Sequence, residues 1–402
     1  MRLLYITSRV PFPLDKGDKV RAYHQIEELS KHHEVCLFSV NDQELHPQAL
    51  DALRKICSRV EIVNLNKMEL FVNLLRTFFG SQPMQVGYFY NSRSLSVFRK
   101  LLAEFKPDAV FCQLIRTAEY VRGLELPKTL DYMDVFSKGI ERRINKVPFY
   151  QRPFYAMEYR RLIRYEHDIF SEFNTTTIIS RQDRDLIPHE SNAKITVIPN
   201  GVDLSFFHSP SSADGKEPKK EFEILFNGNM SYPPNIESAV FLVERIMPHV
   251  WKKYPDARVL ISGTNPASRV RELGSDKVRV SGWVDDVRVN FAKSRILVAP
   301  MQSSIGLQNK LMEAMAMKLP CVTSTLANNA LAARDGTEVL VADTPEQYAD
   351  KIFHLLENTT FAASLAENGY AFVKENYDWS RAGEMLNQVI LNGNGKLGKH
   401  GN

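Results

Sequence analysis

The chain has 402 residues, 44% hydrophobic and 24% charged, and its 51 Lys and Arg against 47 Asp and Glu leave a net charge of +4. That length exceeds what one hydrophobic core usually organises, and so mild a charge excludes a surface built throughout for a polyanion. The 19 Gly and 20 Pro are spread through periodic segments, which excludes collagen-like and low-complexity classes. Cys36, Cys57, Cys112 and Cys321 are scattered, without the close pairs of a zinc site or a disulfide scaffold, so a reduced compartment is expected. The apolar run Leu3 to Ile6 is too short for a signal-peptide core and reads as a buried strand. The most apolar stretch, Leu70 to Phe79, is interrupted by Asn73 and Arg76 and falls short of the roughly 20 apolar residues of a membrane span.

In chain order, short apolar or β-branched runs alternate with longer helical-period stretches, the pattern of an α/β protein with largely parallel sheets. The first half gives strands at Leu3 to Ile6, Val35 to Val40, Ala109 to Cys112, Thr177 to Ile179 and Ile195 to Ile198, with a helix over Arg21 to Ser30. The second half restarts with strands at Glu223 to Phe226, Ala257 to Ser262, Val278 to Val280, Ile296 to Ala299 and Pro320 to Thr323, and a helix over Ile236 to Tyr254. Between them residues 209–221, rich in Pro, Ser, Gly and Lys, have a linker composition. The expected division is a first domain over 1–208, a linker over 209–221 and a second domain over 222–377. A C-terminal helix over 378–391 would return to the first domain, and a Gly- and Asn-rich tail over 392–402 would be disordered.

The strand ending at Ala299 runs through Pro300 into Ser303-Ser304-Ile305-Gly306 and a helix over Leu307 to Met317. A glycine-marked loop feeding a helix start aims free N–H groups at an anion, with phosphate the natural occupant. On that helix Asn309, Lys310 and Glu313 share one face, where a cation and a carboxylate can hold a diphosphate and ribose hydroxyls. The plainer alternative is a solvated Lys–Glu pair on a surface helix. Asp183-Arg184-Asp185 has the form of a metal-binding string, but it follows Ser180, a helix cap, and carboxylates in a first turn favour the helix dipole unaided. Asp131 and Asp134 either line a binding site or cap a loop, and His24, His32 and His33 lack metal-ligand spacing. From Lys138 to Glu166 eight basic and three acidic residues give a local +5, interleaved with Phe149, Tyr150, Phe154, Tyr155, Tyr159 and Tyr165. That mix suits contact with an anionic membrane, or else a helix with an aromatic core face and a solvated arginine face. No motif accompanies it that would indicate nucleic acid.

The run Lys310 to Val322, containing Glu313-Ala314-Met315-Ala316 and Pro320, resembles the signature of retaining family 4 glycosyltransferases. So do Ile198-Pro199-Asn200-Gly201-Val202-Asp203, Val280-Ser281-Gly282-Trp283-Val284, the Gly17 loop after the first strand, and the turn Gly228 to Asn235, which is similar to bacterial exopolysaccharide transferases. The resemblance covers nearly the whole chain. It implies a GT-B fold, two Rossmann-like domains with largely parallel sheets facing across a cleft, the second holding a UDP- or GDP-sugar and the first a lipid-linked or glycan acceptor. Carried over, Glu313 binds the ribose, Lys310 and the Leu307 backbone N–H the diphosphate, Trp283 and Val284 the base, with Asn229, Ile305 and Gly306 also on the donor side, and Gly17 lets the first domain approach the phosphates. There are three departures from the pattern, at four positions: Ile305 replaces a glutamate on the transferred sugar, Asn229 and Pro234 together replace an Arg and a Lys, and Gln113 replaces an acceptor-side histidine.

The implied activity is metal-independent sugar transfer with retention in bacterial surface polysaccharide synthesis, the nucleotide-sugar being a substrate and no cofactor being needed. Lys310, Glu313 and Gln113 are the implied catalytic positions. Arg142, Arg143, Arg160, Arg161 and Arg164 are the expected acceptor-side or membrane-facing cations of a cytoplasmic, peripherally membrane-bound enzyme. The three departures keep open a silent nucleotide-sugar-binding scaffold, and an epimerase or hydrolase on the same fold is a further rival.

Overall fold

A computed structural model of the chain describes residues 1–145, 147–208, 219–303 and 306–397. They form two compact units, Met1–Pro199 together with the chain from Trp379 onward, and Asn200–Asp378.

The first unit is built on seven strands, β1 (Arg2–Thr7), β2 (Glu34–Asn41), β3 (Arg59–Asn64), β4 (Ala109–Gln113), β5 (Lys128–Asp131), β6 (Thr175–Ile178) and β7 (Thr196–Val197). They pair in parallel in the order β3-β2-β1-β4-β5-β6-β7. The chain therefore winds outward from β1, returns, and winds the other way from β4, so the strand order reverses between β1 and β4. The apolar runs of the central strands are continuous because both faces are covered. Leu3, Tyr5, Leu37 and Phe111 enter one core cluster, while Leu4, Ile6, Phe38 and Val110 enter the other. The first face is closed by α1 (Gly17–Ser30) and the C-terminal α6 (Trp379–Leu397), whose Trp379, Leu386 and Ile390 share a cluster with Leu3 and Tyr5. The other carries α2 (Lys67–Phe79), α3 (Phe136–Ile144) and α4 (Arg152–Phe170), represented in that cluster and its margin by Leu70, Ile140 and Leu162.

The second unit has six parallel strands, β8 (Phe222–Asn227), β9 (Val259–Ser262), β10 (Val278–Gly282), β11 (Ser294–Ala299), β12 (Cys321–Thr323) and β13 (Leu340–Val341), in the order β10-β9-β8-β11-β12-β13. The reversal here lies between β8 and β11, and ligands of open parallel sheets sit outside the carboxyl ends of strands at such a point. The helix α5 (Asn309–Ala316) follows β11 and starts there.

Several expectations shift. The units divide at Pro199, not at 208, because Val202 donates its N–H to the Tyr377 carbonyl and Leu204 and Phe207 pack on the second core. Residues 209–218 of the expected linker lie outside the described residues. Residues 392–397, expected as part of a disordered tail, continue α6, while 398–402 are not described. The helix expected over Ile236 to Tyr254 is three pieces, Pro233–Phe241, a wide turn over Leu242–Ile246 and Met247–Lys253. Pro248, which lacks an N–H, follows that turn and accounts for the break in the ladder.

Candidate functional site

At the carboxyl ends of β8 and β9 two glycines meet. Gly263 has a φ of +136°, and a Cβ there would overlap the Gly228 carbonyl. A Cβ on Gly228 would lie 2.8 Å from the Asn235 amide nitrogen and 3.3 Å from Lys310 Nζ. Gly228 thus leaves bare backbone beside one ammonium group, and Gly263 lets that backbone come close. Lys310, in the first turn of α5, is only 7% exposed. Its Nζ donates to Asn235 Oδ1 at 2.6 Å, lies 3.6 Å from the Met301 sulfur and sits 4.6 Å from the centre of the Phe226 ring. Asn235 is oriented by donating its Nδ2 to the Asn229 carbonyl, which turns Oδ1 toward Lys310. Among the described residues no carboxylate lies within 4.0 Å of Lys310, so the solvated Lys–Glu pair is not what forms.

Burial without a counter-ion pushes the Lys310 pKa down to about 7, with Glu313 opposing this in part. Glu313 lies three residues on, half-buried at the surface of α5, and makes no side-chain hydrogen bond among the described residues. Burial pushes its carboxyl up to about 7, against the pull of Lys310. The site therefore holds a cation lacking an anion and a carboxylate lacking donors, on consecutive turns of one helix.

The remaining expected donor residues are placed unequally. Gly306 and Leu307 precede α5, whose cap position is Gln308, so Leu307 is not at the helix end as expected; the first helical residue is Asn309 because Gln308 is still extended (φ −96°, ψ 101°). Ile305 lies outside the described residues. Asn229 turns its side chain onto its own loop, accepting from the Ser231 N–H at 3.0 Å and its hydroxyl at 2.8 Å. Trp283 follows the edge strand β10 and is 65% exposed, with Val284 half-buried beside it. The Gly282 carbonyl accepts from the Gly263 N–H at 3.1 Å, which ties that loop to the paired glycines.

In the first unit Gly17 opens α1 and a Cβ there would meet only the Met133 methyl at 3.8 Å, so packing within this unit does not demand a glycine. Gln113 is buried at the end of β4 and donates its Nε2 to the Asp18 carbonyl at 2.7 Å, holding the start of α1. Asp131 has no solvent-exposed surface. It receives two bonds from Arg21, Nε at 2.6 Å and Nη2 at 3.0 Å, with Thr177 and Gln25 also donating. Asp134 accepts the Val135 N–H, and Ser180 caps its short helix by accepting from the Asp183 N–H. Arg142, Arg143, Arg160 and Arg164 are exposed. Arg161 differs from the expectation of a surface cation: its guanidinium donates to the carbonyls of Thr77, Phe78, Gly80 and Gln82 at the end of α2.

Sequence reading missed Asn235, Phe226 and Met301 beside Lys310, and Gly263 against Gly228. The Gly228 to Asn235 turn was visible, but nothing in it says which amide reaches a lysine 75 positions on. One group of possible metal ligands occurs among the described residues, His167, His189 and Glu190, whose ligand atoms lie within 4.8 Å of one another. His189 stacks on Phe170 and its Nδ1 accepts the Ser191 N–H, an arrangement that a loop needs without any ion.

Residues 221–358 match the family model for glycosyl transferases group 1. This span is a group 1 glycosyltransferase domain. The transferase is 22% identical over 404 residues to a 44.6 kDa protein of the cps region of Klebsiella pneumoniae, covering 94% of this chain and 96% of that one. It is also 29% identical to the phosphatidyl-myo-inositol mannosyltransferase of Mycobacterium tuberculosis over 203 residues, about half of each chain. Among solved structures it is similar to sucrose-phosphate synthase from Thermosynechococcus elongatus, with a TM-score of 0.69, 16% identity and coverage of 98% and 99%. HepE of Anabaena, crystallised with UDP and glucose, gives 0.68, 11%, 96% and 98%. The likeness over almost the full chain shows that the transferase has the GT-B fold, with two Rossmann-like units. No described helix is long and apolar enough to cross a membrane.

Proposed function

We propose that the transferase moves a sugar, with retention, from a UDP- or GDP-sugar to a lipid-linked or glycan acceptor in bacterial surface polysaccharide synthesis. The observation that carries this is Lys310, a buried ammonium without a counter-ion at the strand-order reversal of the second unit. A cation in that position carries a desolvation penalty that an anionic ligand offsets more fully than the Asn235 oxygen and the Phe226 ring do. In this reading Lys310 and the bare backbone at Gly228 and Gly263 take the diphosphate, the unbonded Glu313 carboxylate accepts the ribose hydroxyls, and Trp283 and Val284 flank the base. Transfer on one face proceeds through an oxocarbenium-like state, with a leaving phosphate oxygen accepting the acceptor's proton, so that the main task of the protein is stabilising the departing charge. Lys310 supplies that charge without a metal. The cps-region relative supports a polysaccharide role, the mannosyltransferase a lipid acceptor, and HepE with bound UDP a uridine donor.

The anionic inner face of the cytoplasmic membrane is the proposed location. Its support is an apolar stripe on α2, where Phe71 is 62% and Phe79 79% exposed, together with Phe149 and Tyr150 beyond α3. Free arginines Arg142, Arg160 and Arg164 lie on the neighbouring α3 and α4, the composition of an interfacial foot. A second reading, a silent nucleotide-sugar-binding scaffold, draws on Asn229 and Gln113, whose side chains are spent on hydrogen bonds within their own units.

The test is thermal unfolding with UDP, GDP and ADP. One of them is expected to raise the melting temperature by about 5–10 °C at a hundredfold excess over its Kd, and Glu313→Ala to remove most of that shift. Lys310→Ala and Glu313→Ala are both expected to abolish transfer. Absence of any shift sinks the donor assignment, and a shift with no transfer to any acceptor supports the scaffold.

A further inference from the structure

In the first unit a cavity of about 390 Å³ opens between α3, α4 and the short helix Met84–Gly87, and Arg116 lies in its wall. The Arg116 guanidinium lies over two rings, 4.7 Å from the centre of Phe136 and 5.6 Å from that of Phe89. Its Nη2 donates to Gln85 Oε1 at 2.7 Å, but its Nε is buried and has no partner. No carboxylate lies within 4.0 Å of it among the described residues. Burial pushes its pKa down to about 10, the response of a guanidinium short of counter-charge.

Two acidic groups share the cavity, and each accepts from backbone N–H groups. Glu158 caps the Met84–Gly87 helix by accepting its first two N–H groups, from Met84 at 2.9 Å and Gln85 at 3.4 Å. Asp134 accepts the Val135 N–H at 2.7 Å. Arg143, exposed and unpaired among the described residues, also lines the cavity and brings a second guanidinium. The rim supplies Phe154, whose ring lies parallel to Phe78 at 6.5 Å between centroids and so joins the cavity to the exposed apolar stripe of α2.

We propose that this cavity binds the phosphate or diphosphate of an amphiphilic acceptor, with Arg116 and Arg143 on the phosphate oxygens and the apolar chain leaving over Phe154 and Phe78. A planar guanidinium whose Nη1 makes no hydrogen bond among the described residues, with a second arginine lining the same cavity, offers the donors that phosphate oxygens take. Phe154 and Phe78 give an apolar path from the cavity to the exposed stripe of α2, which favours a lipid-borne phosphate over a free one. The inference rests on the transferase reading above, since it names the chemistry of that reading's acceptor.

The experiment is calorimetric titration of the full chain with farnesyl diphosphate, inorganic diphosphate and farnesol, repeated with Arg116→Gln, Arg116→Lys and Arg143→Gln. Farnesyl diphosphate is expected to bind tightest, with Arg116→Gln weakening it more than tenfold, Arg116→Lys by less, and Arg143→Gln several-fold. Because Arg143 is exposed, its variant keeps the test decisive if Arg116→Gln fails to fold. Equal binding of farnesol removes the phosphate from the site, equal binding of inorganic diphosphate removes the lipid, and unchanged affinity in the arginine variants overturns the assignment. Nucleotide-induced thermal shifts of the same variants are expected to equal those of the parent. Farnesyl diphosphate binding that depends on Arg116 in a chain that ignores every nucleotide would sink the donor reading and leave this one standing.

Discussion

Lys310 and Glu313 owe their altered acidity to one cause, burial before a ligand arrives, and the signs of the consequences differ. The folded pKa of Lys310, about 7, lies below its ordinary 10.5, so between those values the unfolded chain binds more protons and stability rises with pH. Glu313, raised to about 7 from 4.5, makes the folded chain bind more protons between 4.5 and 7, so its contribution is lost as pH rises through that window. Both groups are therefore least favourable to the free fold near neutrality. A diphosphate beside Lys310 raises the lysine's pKa back toward its ordinary range. At pH 8, where the free lysine is mostly neutral and Glu313 already ionised, nucleotide binding is expected to take up about one proton. Calorimetry in two buffers of different ionisation enthalpy measures this directly, and Lys310→Gln is expected to lose the uptake. Binding at pH 8 with no proton taken up would show that the ammonium does not face the phosphate.

Among the elements, α2 shows how a helix can be well held and still leave its apolar face uncovered. Asn66 and Glu69 form a reciprocal cap at its start, at 2.8 and 2.9 Å, and Arg161 gathers the carbonyls at its end. Yet Met68, Phe71, Val72, Leu75 and Phe79 all face solvent. Buried apolar residues alone would have turned this helix over, so its fixed orientation makes the stripe a surface feature, the kind of patch that marks a membrane or partner. Phe71→Ser with Phe79→Ser is expected to cut co-sedimentation with anionic phosphatidylglycerol vesicles several-fold without lowering the melting temperature. Retained binding, or a large loss of stability, would show the stripe to be structural. The sequence made the stripe visible at Leu70 to Phe79 but assigned Arg161 to the surface, since nothing local tells a capping arginine from a free one. The same limit hid β3 and β5. Arg59–Asn64 alternates charged and apolar residues at a sheet edge, and Lys128–Asp131 is four residues with one aliphatic side chain, recognisable only once β4 and β6 pair with it. Lys310 and Glu313 were legible by spacing and by resemblance, whereas the partners that bury Lys310 come from β8 and the helix after it and from the loop after β11.

For the molecule as a whole, the chain leaves the first unit at Pro199 and re-enters it at Trp379, so one folding unit depends on residues from both ends of the sequence. Trp379 stacks on His24 at 4.9 Å, Asn387 Oδ1 lies 2.7 Å from His33 Nε2, and a Cβ on Gly383 would collide with the Glu28 side chain, so α6 lies tightly on α1. Trp379, Ala382, Leu386, Val389 and Ile390 complete the core cluster over one face of the sheet. Burying the four larger of these contributes roughly 1.5–3 kcal/mol each, about 6–12 kcal/mol together and an upper estimate. That is as large as the whole stability of an ordinary domain, about 5–15 kcal/mol. A chain ending at Asp378 is therefore expected to keep a folded second unit and to lose the first. Limited proteolysis would read this as a protected fragment beginning near Asn200 with residues 1–199 degraded, while calorimetry would show one unfolding transition missing. A truncated chain that still protects residues 1–199 would mean that α1 and the sheet close their own core, and that α6 only covers it.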